Sequence, residues 1–224
     1  MEKKIDRREF LKVSAAAGAI LTMSPGLTLA QEQKAISLLK PQVGSGTPVM
    51  QLLWKRISIK EFSPEPFSPE LLSNILWSAF GINRPDGRRT AATASNRQEI
   101  DIYVALASGL YLYDAKANLL NPILAQDIRG STGRQDYVKS AAANLVYVAD
   151  FSKMGKASDE DKILLSSVAT GLISENVYLY CAAEGLGAVV RVNIDKPALA
   201  SLMRLRPDQK IILSQSVGYP KKKQ

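Results

Sequence analysis

The segment Asp159–Glu184 constrains the fold of this chain more than any other stretch. Its apolar residues recur at helical spacing, which predicts one long α-helix. Few charged residues follow Lys162, so we expect this helix to be buried on most of its sides. Gly185 and Gly187 come directly after the segment, and glycine in this place is typical of a helix end. The rest of the chain is therefore expected to pack around a long central helix.

Shorter predicted elements lie on both sides of this helix. Ser68, Pro69 and Glu70 form a helix start, with a capping hydroxyl, a proline in the first turn and an acid at the positive end of the dipole. The other predicted helices are 49–54, 137–142 and 195–204, and the predicted strands are Ile100–Leu106, 110–113, 144–149, 188–192 and 211–217. This irregular alternation, with a hairpin in it, predicts an α+β fold in which helices wrap a mixed sheet.

Residues 1–30 are predicted to be an export signal and not part of the fold. The charged start contains Arg7 and Arg8, a short apolar run follows, and small residues lead to Ala30. This order resembles a twin-arginine signal, apart from Asp6 where serine or threonine is usual; an ordinary basic amphipathic start is the alternative. The resemblance implies export by the twin-arginine translocation machinery, a periplasmic or otherwise exported location, and cleavage after Ala30.

The chain after the predicted signal divides into two parts. Residues 31–48 are polar and punctuated by proline and glycine, which is typical of a linker or of an arm draped over a domain. Residues 49–224 carry all the longer predicted elements and form the predicted folded domain.

The absence of histidine restricts the chemistry of this chain. With no histidine among 224 residues, the Ser-His-Asp and Cys-His nucleophile systems are excluded in their usual form. The commonest ligand of catalytic zinc, copper and non-haem iron is also missing, so we expect no metal site. The one cysteine, Cys181, lies among apolar residues and is expected to fill the core. If the chain is an enzyme, the difficult chemistry belongs to a cofactor.

The formal net charge of +8 favours an anionic partner. Nucleic acid is not the expected partner, because the chain is predicted to be exported and lacks aromatic residues interleaved with basic ones. A binding protein for anionic surfaces stays open as an alternative.

Residues 56–60 carry the first candidate site. Arg56, Ser58 and Lys60 alternate with isoleucines, so an extended segment places all three polar groups on one side. Arginine offers a fork that fits phosphate, and serine offers an oriented donor. A solvated basic face is the alternative interpretation. The pattern Arg-x-Ser-x-Lys-x-Phe shortly before a helix resembles the opening signature of the FMN-dependent nitroreductase superfamily.

This resemblance implies a nitroreductase-like fold, with a mixed, mainly antiparallel sheet wrapped by helices around a long central helix. It also implies that Arg56 and Ser58 hold the flavin phosphate and side chain. Lys60 is implied to approach the pyrimidine edge of the flavin ring, where two-electron reduction leaves negative charge.

Later motifs extend the resemblance along the chain. Segment 81–90 is similar to the thiazole/oxazole-oxidase-like (SagB-type) branch of the superfamily. Asn96 matches an asparagine that bonds the flavin ring, and Gln98 matches the same motif; a polar turn feeding a strand is the alternative. Residues 190–192 match a strand end whose backbone N–H groups face flavin N5. Lys221 could reach the flavin phosphate or form part of a solubilising tail.

The residues at this strand end are Val190, Arg191 and Val192. The Arg191 side chain is a candidate substrate or flavin contact, with a surface charge as the alternative. Val192 is bulkier than the glycine usual in the branch and could narrow the pocket over the flavin.

The resemblance implies an exported FMN-dependent oxidoreductase. It would transfer a hydride or two electrons through flavin N5 to or from a small organic substrate, as a homodimer with flavin at the interface. A catalytically weak flavin-fold protein that binds a ligand or partner is the alternative, motivated by Ile57 and Val192. Trp54 and Trp77 are expected in core or dimer packing.

Overall fold

The computed structural model describes residues 33–41 and 46–221, so the predicted export signal lies outside the described residues. Within them the chain forms four α-helices and seven strands. The helices are α1 (Val49–Lys55), α2 (Pro69–Phe80), α3 (Asp159–Glu184) and α4 (Lys196–Leu202). The strands are β1 (Ile36–Ser37), β2 (Ile100–Leu106), β3 (Gly109–Asp114), β4 (Leu119–Leu124), β5 (Ala143–Asp150), β6 (Gly187–Arg191) and β7 (Gln209–Gly218). The predicted α+β class is confirmed.

All seven strands join one sheet in the order β1-β4-β3-β2-β5-β7-β6, with antiparallel pairing between neighbours. Every residue of the central strand β5 is buried, as its continuous apolar run predicts. Strand β6 forms one outer edge of the sheet. Its position matters because an edge strand presents unpaired backbone groups to whatever lies beside it.

Helix α3 has the predicted bounds, but the prediction that it is buried on most sides is wrong. Its inner face packs with α2 and the sheet through residues such as Ile173 and Val177. Ser158 caps its start and Gly185, at φ +68°, ends it. The opposite face carries apolar side chains that are 45–61% exposed, namely Ile163, Leu164, Val168 and Leu172. The apolar residues of α3 therefore occupy more of the helix surface than the rest of the same chain covers.

Three other features of the structure differ from the prediction: where the folded domain begins, one helix, and one strand. The arm within 31–48 adds Ile36–Ser37 to the sheet edge and buries Leu38, so the folded domain begins before residue 49. The predicted helix 137–142 is only a short 3₁₀ turn, Asp136–Lys139, because the chain must turn there to enter β5. The sequence missed β4, in which Pro122 breaks the usual strand composition beside a register shift.

No helix within the described residues is both long and apolar enough to cross a membrane.

Candidate functional site

Segment 56–60 runs along the open edge of β6. Ser58 forms a parallel bridge with Ala188, and the Ile59 N–H donates to the Ala188 carbonyl at 3.0 Å. Beyond it, the Lys221 N–H donates to the Glu61 carbonyl at 3.0 Å. The backbone therefore fixes this segment between the sheet edge and the end of the described chain, and it does so in the extended form that the alternation predicts.

Tyr178 of α3 connects three of the predicted site positions. Its hydroxyl lies 3.1 Å from Ser58 Oγ and accepts the Val190 N–H at 2.9 Å. The Arg56 guanidinium carbon lies 5.3 Å from the centre of the same ring, a cation–π distance. Sequence reasoning missed this buried residue. The only available signal was an aromatic with a polar tip on the inner face of the long helix.

The three predicted N–H donors of segment 190–192 are not equivalent. Successive N–H groups of a strand point to opposite sides, and the Val190 N–H already points outward to Tyr178. The N–H of the next residue, Arg191, therefore faces the neighbouring strand β7, in which Ser214 is its partner. Val192 follows the end of β6, its N–H has no hydrogen-bond partner within the described residues, and its side chain is 69% exposed. Val192 thus offers the available backbone donor.

The predicted contact between the Arg191 side chain and substrate is wrong. This side chain is 5% exposed and turns into the protein, where it donates to Thr132, Asn144 and Ser216. The other alternative, a surface charge, is excluded by the same burial. The guanidinium instead ties the strand end to the neighbouring strands and to the loop that carries Thr132.

Lys60 and Lys221 line one open cleft of about 1070 Å³. Three carboxylates, those of Glu61, Glu65 and Asp136, line the same cleft together with Tyr137. Within residues 33–41 and 46–221, no ion pair neutralises Lys60, Lys221 or Arg56. None of these three cations is paired with a carboxylate, so each has a charge available to an anionic ligand.

Asn96 and Gln98 lie in a tight loop before β2. Ser95, Asn96 and Gln98 have φ of 53°, 53° and 50°, a left-handed conformation that is uncommon for residues other than glycine. The Gln98 side chain accepts from Arg89 at 2.7 Å and donates to Asn96 Oδ1 at 3.1 Å. Gln98 therefore supports the loop and holds the exposed Asn96 side chain. Among the described hydrogen bonds, none joins this loop to segment 56–60 of the same chain.

An exposed apolar patch lies next to the site. Helix α1, which packs on α3 and leads directly into Arg56, exposes Met50, Leu53 and Trp54, the last at 90%. We use the name apolar patch for these three residues of α1 together with the exposed apolar residues of α3, Ile163, Leu164, Val168 and Leu172. Such a patch marks an interaction surface more often than a solvated face. Trp54 is therefore not a core residue.

Cysteine and metal chemistry find no support in this part of the chain. Burial raises the pKa of the Cys181 thiol well above its usual range, so this group is inert and serves the core. No group of three or more metal-ligating side chains occurs within the described ranges.

Comparison with known proteins places this geometry in context. The sequence model of the nitroreductase family matches residues 53–219 of this chain. A crystal structure of a nitroreductase-like protein from Ralstonia eutropha JMP134 is 41% identical, with a TM-score of 0.82 over 85% of this chain and 91% of that one. A nitroreductase-like structure from Desulfovibrio desulfuricans, solved with FMN, is 22% identical, with a TM-score of 0.58 over 80% and 89% of the two chains. A nitroreductase-like protein of Methanocaldococcus jannaschii is 24% identical over 148 residues, which are 62% of this chain and 75% of that protein.

Proposed function

Because this chain belongs to the nitroreductase family, we propose that it acts as an FMN-dependent oxidoreductase on a small organic substrate. The observation that carries the proposal is the junction at Tyr178, which brings Arg56, Ser58 and the open edge of β6 together. These are the groups that a flavin phosphate and a flavin ring require. The thiazole/oxazole-oxidase-like branch, suggested by segment 81–90, is part of this proposal.

The residues present fit FMN. Arg56, Lys60 and Lys221 supply positive charge without carboxylate partners, and Ser58 supplies a hydroxyl on the same segment. The Val192 N–H supplies an unpaired donor at the strand end. When bound, FMN supplies two-electron transfer through N5, which needs no histidine from the protein.

The protein contributes binding, orientation and electrostatics. Arg56 and Ser58 would hold the phosphate and side chain, while Lys60 would offset negative charge on the reduced ring. The Val192 N–H would orient the flavin at N5, and Asn96 would bond the ring from another direction. Lys221 would add charge near the phosphate. No side-chain acid or base is required, since protons can come from water or substrate.

We propose that the protein is a homodimer with FMN at the interface. The α1 part of the apolar patch directly precedes Arg56, and the patch as a whole is exposed in a single chain. The same patch on a second copy of the chain would cover it. No described hydrogen bond joins the Asn96 loop to segment 56–60, which also favours a site completed by two chains. Trp54 would then be a dimer contact.

Export remains a proposal that rests on Arg7, Arg8 and the run that follows them. It has a chemical consequence, because NAD(P)H is not expected outside the cytoplasmic membrane. An exported enzyme would use another donor, or would act as an oxidase or dehydrogenase on an organic substrate. The translocation machinery would be its transient partner.

A second candidate function is flavin binding with weak turnover, favoured by the exposed Val192 side chain at the open edge. Anaerobic photoreduction followed by addition of a nitroaromatic or a quinone separates the two. The proposed oxidoreductase is reoxidised rapidly by one of these acceptors. Bound FMN that no acceptor reoxidises supports the binding protein instead.

Replacing Tyr178 by Phe should weaken FMN binding about 5- to 10-fold, since it removes two neutral hydrogen bonds worth about 1 kcal/mol together. The ring that faces Arg56 stays in place. The measurement is a fluorescence titration of the apoprotein with FMN. Tyr180→Phe is the matched control on the same helix, and equal affinities of the two variants would remove Tyr178 from the site.

Replacing Lys60 by Ala should lower the reduction potential of bound FMN, because a positive charge beside the reduced ring is lost. A tenfold change in the two-electron equilibrium corresponds to about 30 mV. Spectroelectrochemical titration measures this shift, with Lys116→Ala in the β3–β4 turn as a control for charge alone. A potential equal to the control's would contradict the placement of Lys60.

A further inference from the structure

Arg191 is a buried cation whose partners are all neutral. Its guanidinium donates to Thr132 Oγ1 and Asn144 Oδ1 at 2.8 Å each, to Ser216 Oγ at 2.6 Å, and to the Thr132 carbonyl at 3.3 Å. No carboxylate contacts it within the described residues. Burial lowers the pKa of Arg191 to about 10, and the nearby Tyr137 opposes that shift.

The guanidinium nevertheless stays charged at neutral pH. A pKa three units above the solution pH leaves about a thousand protonated groups for each neutral one. The neutral acceptors satisfy its N–H groups, but they do not cancel its charge. In the low-dielectric interior such a charge acts over a longer range than it would in water.

The surroundings also keep counter-ions out. A side chain at Gly133 would collide with Arg191 Nε, so the loop over the guanidinium is closed tightly. Ser216 Oγ in turn donates to Asn144 Oδ1, which ties β7 and β5 together around the charge. The exposed Arg134 of the same loop differs, because it pairs with Asp195 at 3.4 Å in solvent.

Arg191 is the last residue of β6, so its buried charge lies directly behind the strand end that carries the proposed flavin donor. The residue lies between Val190, which donates to Tyr178, and Val192, whose N–H has no hydrogen-bond partner among the described residues. Two electrons and one proton added to an oxidised flavin by a chemical reductant leave one extra negative charge on the ring system. A fixed uncompensated cation behind the donor strand favours that reduced state.

We infer that Arg191 is a positioning residue that holds the strand-end donors in place and raises the reduction potential of bound FMN through its uncompensated charge. The inference rests on the proposed FMN chemistry. In this role the Arg191 side chain does not contact substrate, because it lies on the face of β6 that is buried against Thr132, Asn144 and Ser216.

The test compares the FMN reduction potentials of purified variants. Arg191→Met should shift the two-electron equilibrium at least tenfold toward oxidised flavin, about 30 mV. Arg191→Lys, which keeps the charge, should restore most of that shift. Arg134→Met is the matched control and should leave the potential unchanged. Equal reduction potentials in Arg191→Met and wild type would overturn the inference. A reduction potential in Arg191→Lys as low as that in Arg191→Met would also overturn it.

Asn144→Asp is a second test of the inference that stays valid if Arg191→Met does not fold. It places a carboxylate beside the intact guanidinium, so it cancels the charge without removing the side chain. The same direction of shift is expected, and an unchanged potential would contradict the inference. If wild type binds no FMN at all, the proposed function fails rather than this inference about Arg191.

Discussion

Arg56→Ala should lose most of its affinity for FMN. A charge-assisted hydrogen bond to an anion is worth about 1.5–3 kcal/mol, which corresponds to about a 10- to 100-fold rise in Kd. Arg56 suits this role because it has no carboxylate partner in the described residues and is held in place by the Tyr178 ring. Fluorescence titration of apoprotein with FMN at two salt concentrations measures the loss, which should shrink as salt screens the charge.

The matched control for this change is Arg88→Ala. Arg88 is also a surface arginine, but it pairs with Asp86 at 2.8 Å and is not among the residues proposed to contact FMN. It should bind FMN as wild type does. Equal affinity in the Arg56 and Arg88 variants would mean that segment 56–60 is a solvated basic face and not a phosphate site.

The double variant Leu164→Glu, Val168→Glu should be monomeric. Both side chains are exposed on α3 within the apolar patch, and two carboxylates buried at an interface cost several kcal/mol. We expect the dimer dissociation constant to rise by more than about 100-fold, as measured by sedimentation equilibrium. FMN affinity should fall with it, because the site is proposed to be completed by the second chain.

Ser201→Glu provides the control for the added negative charge. Ser201 is exposed on α4, away from the apolar patch, and its variant should remain dimeric. A double α3 variant that stays dimeric and keeps FMN would show that the apolar patch has another use.

The bounds of the helices and strands were easier to predict from the sequence than which of their faces are covered. The bounds of α3 follow from Ser158, Gly185 and the spacing of apolar residues, all of which act locally. Whether Leu164 and Val168 are covered depends on a neighbour that the periodicity does not specify. The same apolar residue fits the core of one chain and the interface between two.

The site was predictable where the residue types themselves carry the chemistry, as in Arg56, Ser58 and Lys60. Tyr178 and Arg191 could not be placed in the same way. Their roles depend on which side of β6 each group faces, and this is set by the pairing of β6 with β7 and with segment 56–60. A one-residue shift in that pairing would have exposed Arg191 and buried Val192.

The most direct test of the proposed function is the absorption spectrum of the purified chain from residue 31 onward, after reconstitution with FMN and removal of free flavin. We expect a yellow protein with one FMN per chain, visible flavin bands and reversible two-electron reduction. A correctly folded protein that stays colourless after this treatment would contradict it.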